Sequence, residues 1–161
     1  MLDIVTYGNE ILGKKAEGVK DIDDSVRALA AGMLEAMDGK GIGLAGPQVA
    51  SPLRIFVTKV EGDKPRIFIN PEIVLTSQEM VSVEEGCLSL PRLYIDVIRP
   101  ESVRVQAWNE KGRPFTVETD GLLARVILHE YDHLEGLLFI DRLKPGKRDR
   151  ALAQYRRLIK G

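Results

Sequence analysis

The feature that most constrains this chain is the run His129-Glu130-Tyr131-Asp132-His133. Two histidines four residues apart can serve one metal ion if the backbone between them is an α-helix, where positions i and i+4 share a face. The glutamate beside the first imidazole then stands one residue from the ion, where it can work on an activated water. The chain has 2 histidines, and both fall in this run. The alternative, two unrelated surface or core histidines, leaves unexplained why the whole supply sits at ligand spacing.

The helix is legible around the motif. Asp120 suits an N-cap, because its carboxylate can accept from unpaired backbone N–H groups. Leu122, Leu123, Val126, Ile127 and Leu128 follow, and Gly136 is placed to end the helix in the left-handed conformation. Apolar residues on most sides predict a buried helix. Leu122, Val126, His129 and His133 are spaced four, three and four, so they form one stripe running from apolar surface to the metal.

At 161 residues the chain is expected to form one domain, 1–161, with a real core. A net charge of −1 gives no bulk electrostatic case for binding nucleic acid or acidic membranes. A single cysteine excludes an intrachain disulfide and fits a reducing compartment. Residues 1–8 show no signal-peptide pattern, and no apolar run approaches the ~20 residues that span a bilayer. The expectation is a cytoplasmic protein.

Residues 1–22 read as an extended arm with a helical turn at Glu10-Ile11-Leu12. Asp23 or Asp24 then caps an amphipathic helix through Val26, Leu29, Ala30, Met33, Leu34 and Met37, its methionines read as core and Gly39 as its end. Gly41 to Gln48 holds three glycines and a proline, which predicts a loop whose backbone can approach a ligand closely. Strands are expected at Arg54–Val60, Arg66–Ile69 (broken by Asn70-Pro71), Leu93–Ile98, Ser102–Trp108 and Phe115–Glu118, with a further strand or a hairpin over Ile73–Val83. Lys144-Pro145-Gly146 should break the chain before a basic helix over Asp149–Lys160. The fold class is therefore α+β: antiparallel β-sheets packed around a buried central metal-binding helix, with an N-terminal amphipathic helix and a C-terminal helix.

A catalytic metal needs a third protein ligand and an open position. No histidine lies downstream, and Glu135 falls on the wrong side of the helix. Cys87 is the better candidate, since a thiolate is a tight ligand and Gly86 beside it permits close approach. Its alternative is a small buried hydrophobe.

Three ordered motifs resemble those of the peptide deformylases. Gly41-Ile42-Gly43-Leu44-Ala45-Gly46-Pro47-Gln48 is similar to G-[IV]-G-L-A-A-P-Q. Glu85-Gly86-Cys87-Leu88-Ser89 matches E-G-C-L-S, and His129 to Gly136 matches H-E-x-D-H-L-x-G. The departures are Gly46 for the usual alanine, Leu128 where glutamine often stands, and the variable segment Arg92-Leu93-Tyr94. The resemblance spans nearly the whole chain and implies removal of the formyl group from N-formylmethionyl nascent peptides. It implies one divalent ion held by Cys87, His129 and His133: Fe²⁺ natively, with Zn²⁺, Ni²⁺ or Co²⁺ as replacements. It makes Gln48 and the Leu88 N–H oxyanion donors, with Glu130 moving the proton. Ile42, Gly43, Leu122 and Val126 are expected to border the pocket of the methionine side chain. Glu85, Arg99 and Asp132 are expected to support the ligands or, alternatively, to form a structural ion pair. Action near the ribosome, no direct nucleic-acid or membrane contact and a monomeric state complete the expectation. An endopeptidase sharing the helix motif, a cysteine hydrolase using Cys87, and a closed metal module are the rival readings.

Overall fold

The computed structural model describes residues 1–160. The elements are α1 (Asp24–Met37), β1 (Gly43–Ala45), β2 (Ile55–Thr58), β3 (Arg66–Thr76), β4 (Met80–Cys87), β5 (Leu90–Pro100), β6 (Ser102–Trp108), β7 (Pro114–Asp120), α2 (Gly121–Leu134) and α3 (Pro145–Lys160), with 3₁₀ turns at Glu10–Gly13, Gly46–Val49 and Phe139–Arg142. An antiparallel sheet runs in the order β1-β2-β3-β6-β7, and β4 and β5 form a second antiparallel pair. The expected α+β architecture is present.

α2 carries the metal motif and touches both sheets. Its inner face, Ala124, Ile127 and Leu134, packs on Phe56, Phe68, Val103 and Val105. β2 is buried along its whole length, because its other face, Ile55 and Val57, receives Ala30, Met33 and Met37 of α1. Both methionines are core, as read. A third cluster joins Leu90, Leu93 and Val97 of β5 to Phe139, Ile140, Leu152 and Tyr155. α2 is thus fixed from several sides, which is what a metal site needs from its scaffold.

Several local expectations change. The Gly41–Gln48 loop contains β1 and a 3₁₀ turn, because Gly43–Ala45 pairs with Thr58–Phe56. Asn70-Pro71 does not end β3. The strand shifts register between Ile69 and Glu72, where Pro71 has no N–H to give, and Asn70 adopts φ 50°. The Asn70 amide stands in for backbone there, accepting from Val19 N at 2.8 Å and donating to Val19 O at 2.9 Å. The segment Ile73–Val83, expected as one strand or a hairpin, is neither: its first part finishes β3 in one sheet, and its second begins β4 in the other. α3 starts at Pro145 rather than Asp149, since a proline is well tolerated in the first turn. Asp120 occupies the N-cap position, but its carboxylate makes no cap bond, as its backbone is committed to β7 opposite Ser102. Asp23 does cap α1, accepting from Val26 N at 3.1 Å.

Candidate active site

α2 presents His129, Glu130 and His133 inward, all nearly inaccessible to solvent. Gly136 closes the helix at φ 76°, with Gly13 O only 2.8 Å from where a Cβ would stand. Cys87, at the end of β4, completes a group in which one ligand atom from each of Cys87, His129 and His133 lies within 4.8 Å of the others. Cys87 Sγ is 3.4 Å from His133 Nε2. A tetrahedral ion with ordinary metal–sulfur and metal–nitrogen bonds would separate such a pair by about 3.5 Å, so the donor set fits one divalent cation.

The electrostatics favour a cation as well. Burial opposes a charge on His129, but Glu130, Cys87 and Glu85 outweigh it and hold this imidazole well above its ordinary range. Burial, and then the charge of His129, pushes His133 well below its own. An anionic surround that holds a proton on one ligand offers the same attraction to a metal, which binds by displacing that proton. Glu130 is pushed up to about 7, chiefly by burial, with Glu85 and Asp132 adding to it. Its Oε1 and His133 Nδ1 are buried without hydrogen-bond partners among the described residues.

Behind the ligands lies a buried ionic network. Glu85 accepts from His129 Nδ1 at 2.7 Å, from Arg99 Nε at 2.6 Å and Nη2 at 3.0 Å, and from Arg125 Nη1 at 2.5 Å. Burial pushes Glu85 upward, but His129 and Arg99 overcome it and bring it to about 2. The ionised carboxylate can only accept, so Nδ1 of His129 carries a hydrogen, and Nε2 is the atom left to a metal once its own proton is displaced. Asp132 accepts from Arg99 Nη1 at 2.9 Å and from Arg142 Nε at 2.9 Å and Nη2 at 2.5 Å. Glu85, Arg99 and Asp132 thus form one connected system, joined by two arginines the sequence reading missed. Arg125 had a signal, a lone charge on an apolar helix one turn before His129. Arg142 had none, being tied to Asp132 only by the chain's path through the 3₁₀ turn.

A cleft of about 350 Å³ opens over the centre. Ile42, Gly43, Gln48, Glu85, Cys87, Leu88, Leu122, Val126, His129 and Glu130 line it, together with Arg125 and Tyr94. Gly43 is indispensable to this closeness: a Cβ there would meet Glu130 Oε2 at 2.6 Å and Val126 Cγ1 at 2.7 Å. Leu122, expected inside a buried helix, is 53% exposed at the mouth, and Ile42 is 41% exposed opposite. His133, Asp132 and Arg99 lie outside the lining. The usual alanine in place of Gly46 would set its Cβ 2.6 Å from Leu53 O, so this loop is tighter than the motif alone suggests.

The sequence profile of the polypeptide deformylase family matches residues 1–149. The chain belongs to this family. It is 46% identical over 155 residues to a peptide deformylase of Treponema pallidum, covering 96% of this chain and 95% of that one. It is 51% identical over 141 residues to one from Clostridium botulinum, covering 87% and 95%. Among solved structures, a Legionella pneumophila peptide deformylase superposes with a TM-score of 0.92 at 37% identity, over 99% of this chain and 96% of that one. A Synechococcus elongatus peptide deformylase in complex with actinonin superposes at 0.90 with 42% identity, over 95% and 86%. Deformylases are metal-dependent hydrolases, and the endopeptidase reading of the same helix motif is set aside.

Proposed function

We propose that Cys87, His129 and His133 hold one divalent ion, ferrous in the cell, at which formyl groups are hydrolysed from N-formylmethionyl nascent peptides. The observation that carries this is the meeting of these three donors beside a cleft that Cys87, His129, Glu130, Gln48 and Leu88 line, with His133 buried behind it. When bound, the ion supplies Lewis acidity, polarising a carbonyl and easing the deprotonation of water.

Glu130, buried next to His129, takes the proton of the attacking water and returns it to the leaving amine. The Gln48 amide and the Leu88 N–H donate to the formyl oxygen as it gains charge. Val126, Leu122 and Ile42 form the apolar wall for an unbranched methionine side chain. β1 is an end strand of its sheet, so the peptide can add beside Gly43 through main-chain bonds that ignore sequence. The choice of iron over zinc, nickel or cobalt rests on the resemblance, as do a cytoplasmic, monomeric enzyme and work close to the ribosome; thiolate and imidazole suit all four ions.

Glu130→Gln and His133→Ala test this together. The first should keep its metal by elemental analysis and lose about 10²–10⁴-fold in kcat; the second should lose the metal. Near-normal turnover of metal-loaded Glu130→Gln would reject the proton-transfer role, and full occupancy in His133→Ala would reject the ligand set.

A further inference from the structure

The N-terminal arm is stitched to the residues around the cleft. Val5 N donates to Gln48 O at 2.8 Å, and Tyr7 N donates to Ser89 O at 2.8 Å. Leu2 and Ile4 pack with the α1 cluster, and Val5 and Tyr7 with the α3 cluster, so apolar burial offsets the cost of ordering the arm.

The stitching constrains the Gln48 amide. Gln48 and Ser89 are buried, at 1% and 0% exposure. The Ala45 N–H can only donate, so the amide atom facing it at 3.0 Å is Oε1 of Gln48. Nε2 therefore faces Ser89 Oγ at 3.2 Å and Cys87 Sγ at 3.6 Å. The single hydroxyl proton of Ser89 goes to the Val5 carbonyl at 2.7 Å, which can only accept. Ser89 is left to accept from Gln48. Turning the amide over would set two N–H donors against each other and leave the hydroxyl oxygen facing another oxygen.

We infer that Ser89, oriented by the Val5 carbonyl, is a positioning residue: it fixes the Gln48 amide so that one Nε2 hydrogen is held and the other is aimed past Cys87 at the substrate oxygen. This rests on the reading of Gln48 as an oxyanion donor. A free-swinging amide would spend part of its time with an oxygen turned toward developing negative charge. The arm is thus a clamp on the catalytic machinery as well as a strand of packing.

The test is kinetics on formyl-Met-Ala-Ser with enzymes matched for metal content. Losing one buried neutral hydrogen bond predicts that Ser89→Ala lowers kcat about tenfold, with KM within about twofold. In a Gln48→Leu background, Ser89→Ala should change kcat by less than about twofold, because nothing remains to be positioned. Should Ser89→Ala fold poorly, Ser89→Thr and Ser89→Val share the same added bulk and differ in the hydroxyl; the threonine variant should be the faster by about fivefold or more. Equal losses in both backgrounds, an unchanged kcat in Ser89→Ala, or equal rates for the threonine and valine variants would overturn the inference. A Gln48→Leu enzyme with wild-type kcat would instead refute the oxyanion reading, and this inference with it.

Discussion

Gly43→Ala adds one methyl group at a point where the structure has no room for it. The added Cβ would stand 2.6 Å from Glu130 Oε2, 2.7 Å from Val126 Cγ1 and 3.0 Å from Glu130 Cγ. Val126 is β-branched on a packed helix, with essentially one rotamer available, so it yields little. Glu130 is the softer neighbour, and relief of the contact moves its carboxylate by about 1 Å. Displacements of that size cost roughly 10²-fold in rate, equivalent to about 2.7 kcal/mol of barrier. Overpacking adds about 1–3 kcal/mol of lost stability. None of the three nearest atoms belongs to Cys87 or the two histidines, so metal content should stay at the wild-type level. Steady-state kinetics on formyl-Met-Ala-Ser, paired with elemental analysis, gives both numbers. A kcat within threefold of wild type would show that Glu130 tolerates displacement or is not the proton carrier.

Three further outcomes are expected. In metal-stripped protein, Glu130 is raised from its ordinary 4.5 to about 7, so its stabilising contribution is complete below pH 4.5, falls as pH rises toward 7 and is gone above it. The stability of Glu130→Gln relative to wild type should then grow by about 3 kcal/mol across that window in urea titrations, and a flat difference would contradict the assignment. Arg142→Met removes a pair of bonds from buried Asp132 but a half-exposed partner, so a loss of about 1 kcal/mol and roughly tenfold weaker metal binding are expected; unchanged affinity in a metal-competition titration would disconnect Asp132 from the centre. Freshly prepared ferrous enzyme should lose activity in air, and nickel-reconstituted enzyme should keep it; indifference of the native-metal enzyme to oxygen would argue for zinc.

How much of this was legible from sequence depended on the range of the interactions. α2 and β6 could be read because their periodicity is local: Ser102–Trp108 was expected as a strand and is one. The metal motif could be read because helical spacing itself brings His129 and His133 together. Cys87 could be placed beside them by chemistry, as the chain's one thiol. The readings that failed hinge on distant partners. Asn70-Pro71 looks like a strand breaker until Val19 is seen bonded to the Asn70 side chain. The glycine-rich segment looks like a loop until Thr58 and Val57 pair with it. Arg142 carried no signal, and Ser89 only its place in the Glu85–Ser89 motif, since their roles are set by Asp132 and Val5 across the fold.

The central claim is that the centre hydrolyses a formamide, and acyl selectivity tests it most directly. Gln48 Nε2 and Cys87 Sγ approach within 3.6 Å, leaving little space for a methyl group on the reacting carbon. Comparing kcat/KM for formyl-Met-Ala-Ser and acetyl-Met-Ala-Ser should show a preference of about 10²-fold or more for the formyl peptide, since a methyl that finds no room costs roughly 3 kcal/mol. Equal rates on the two peptides would contradict the account.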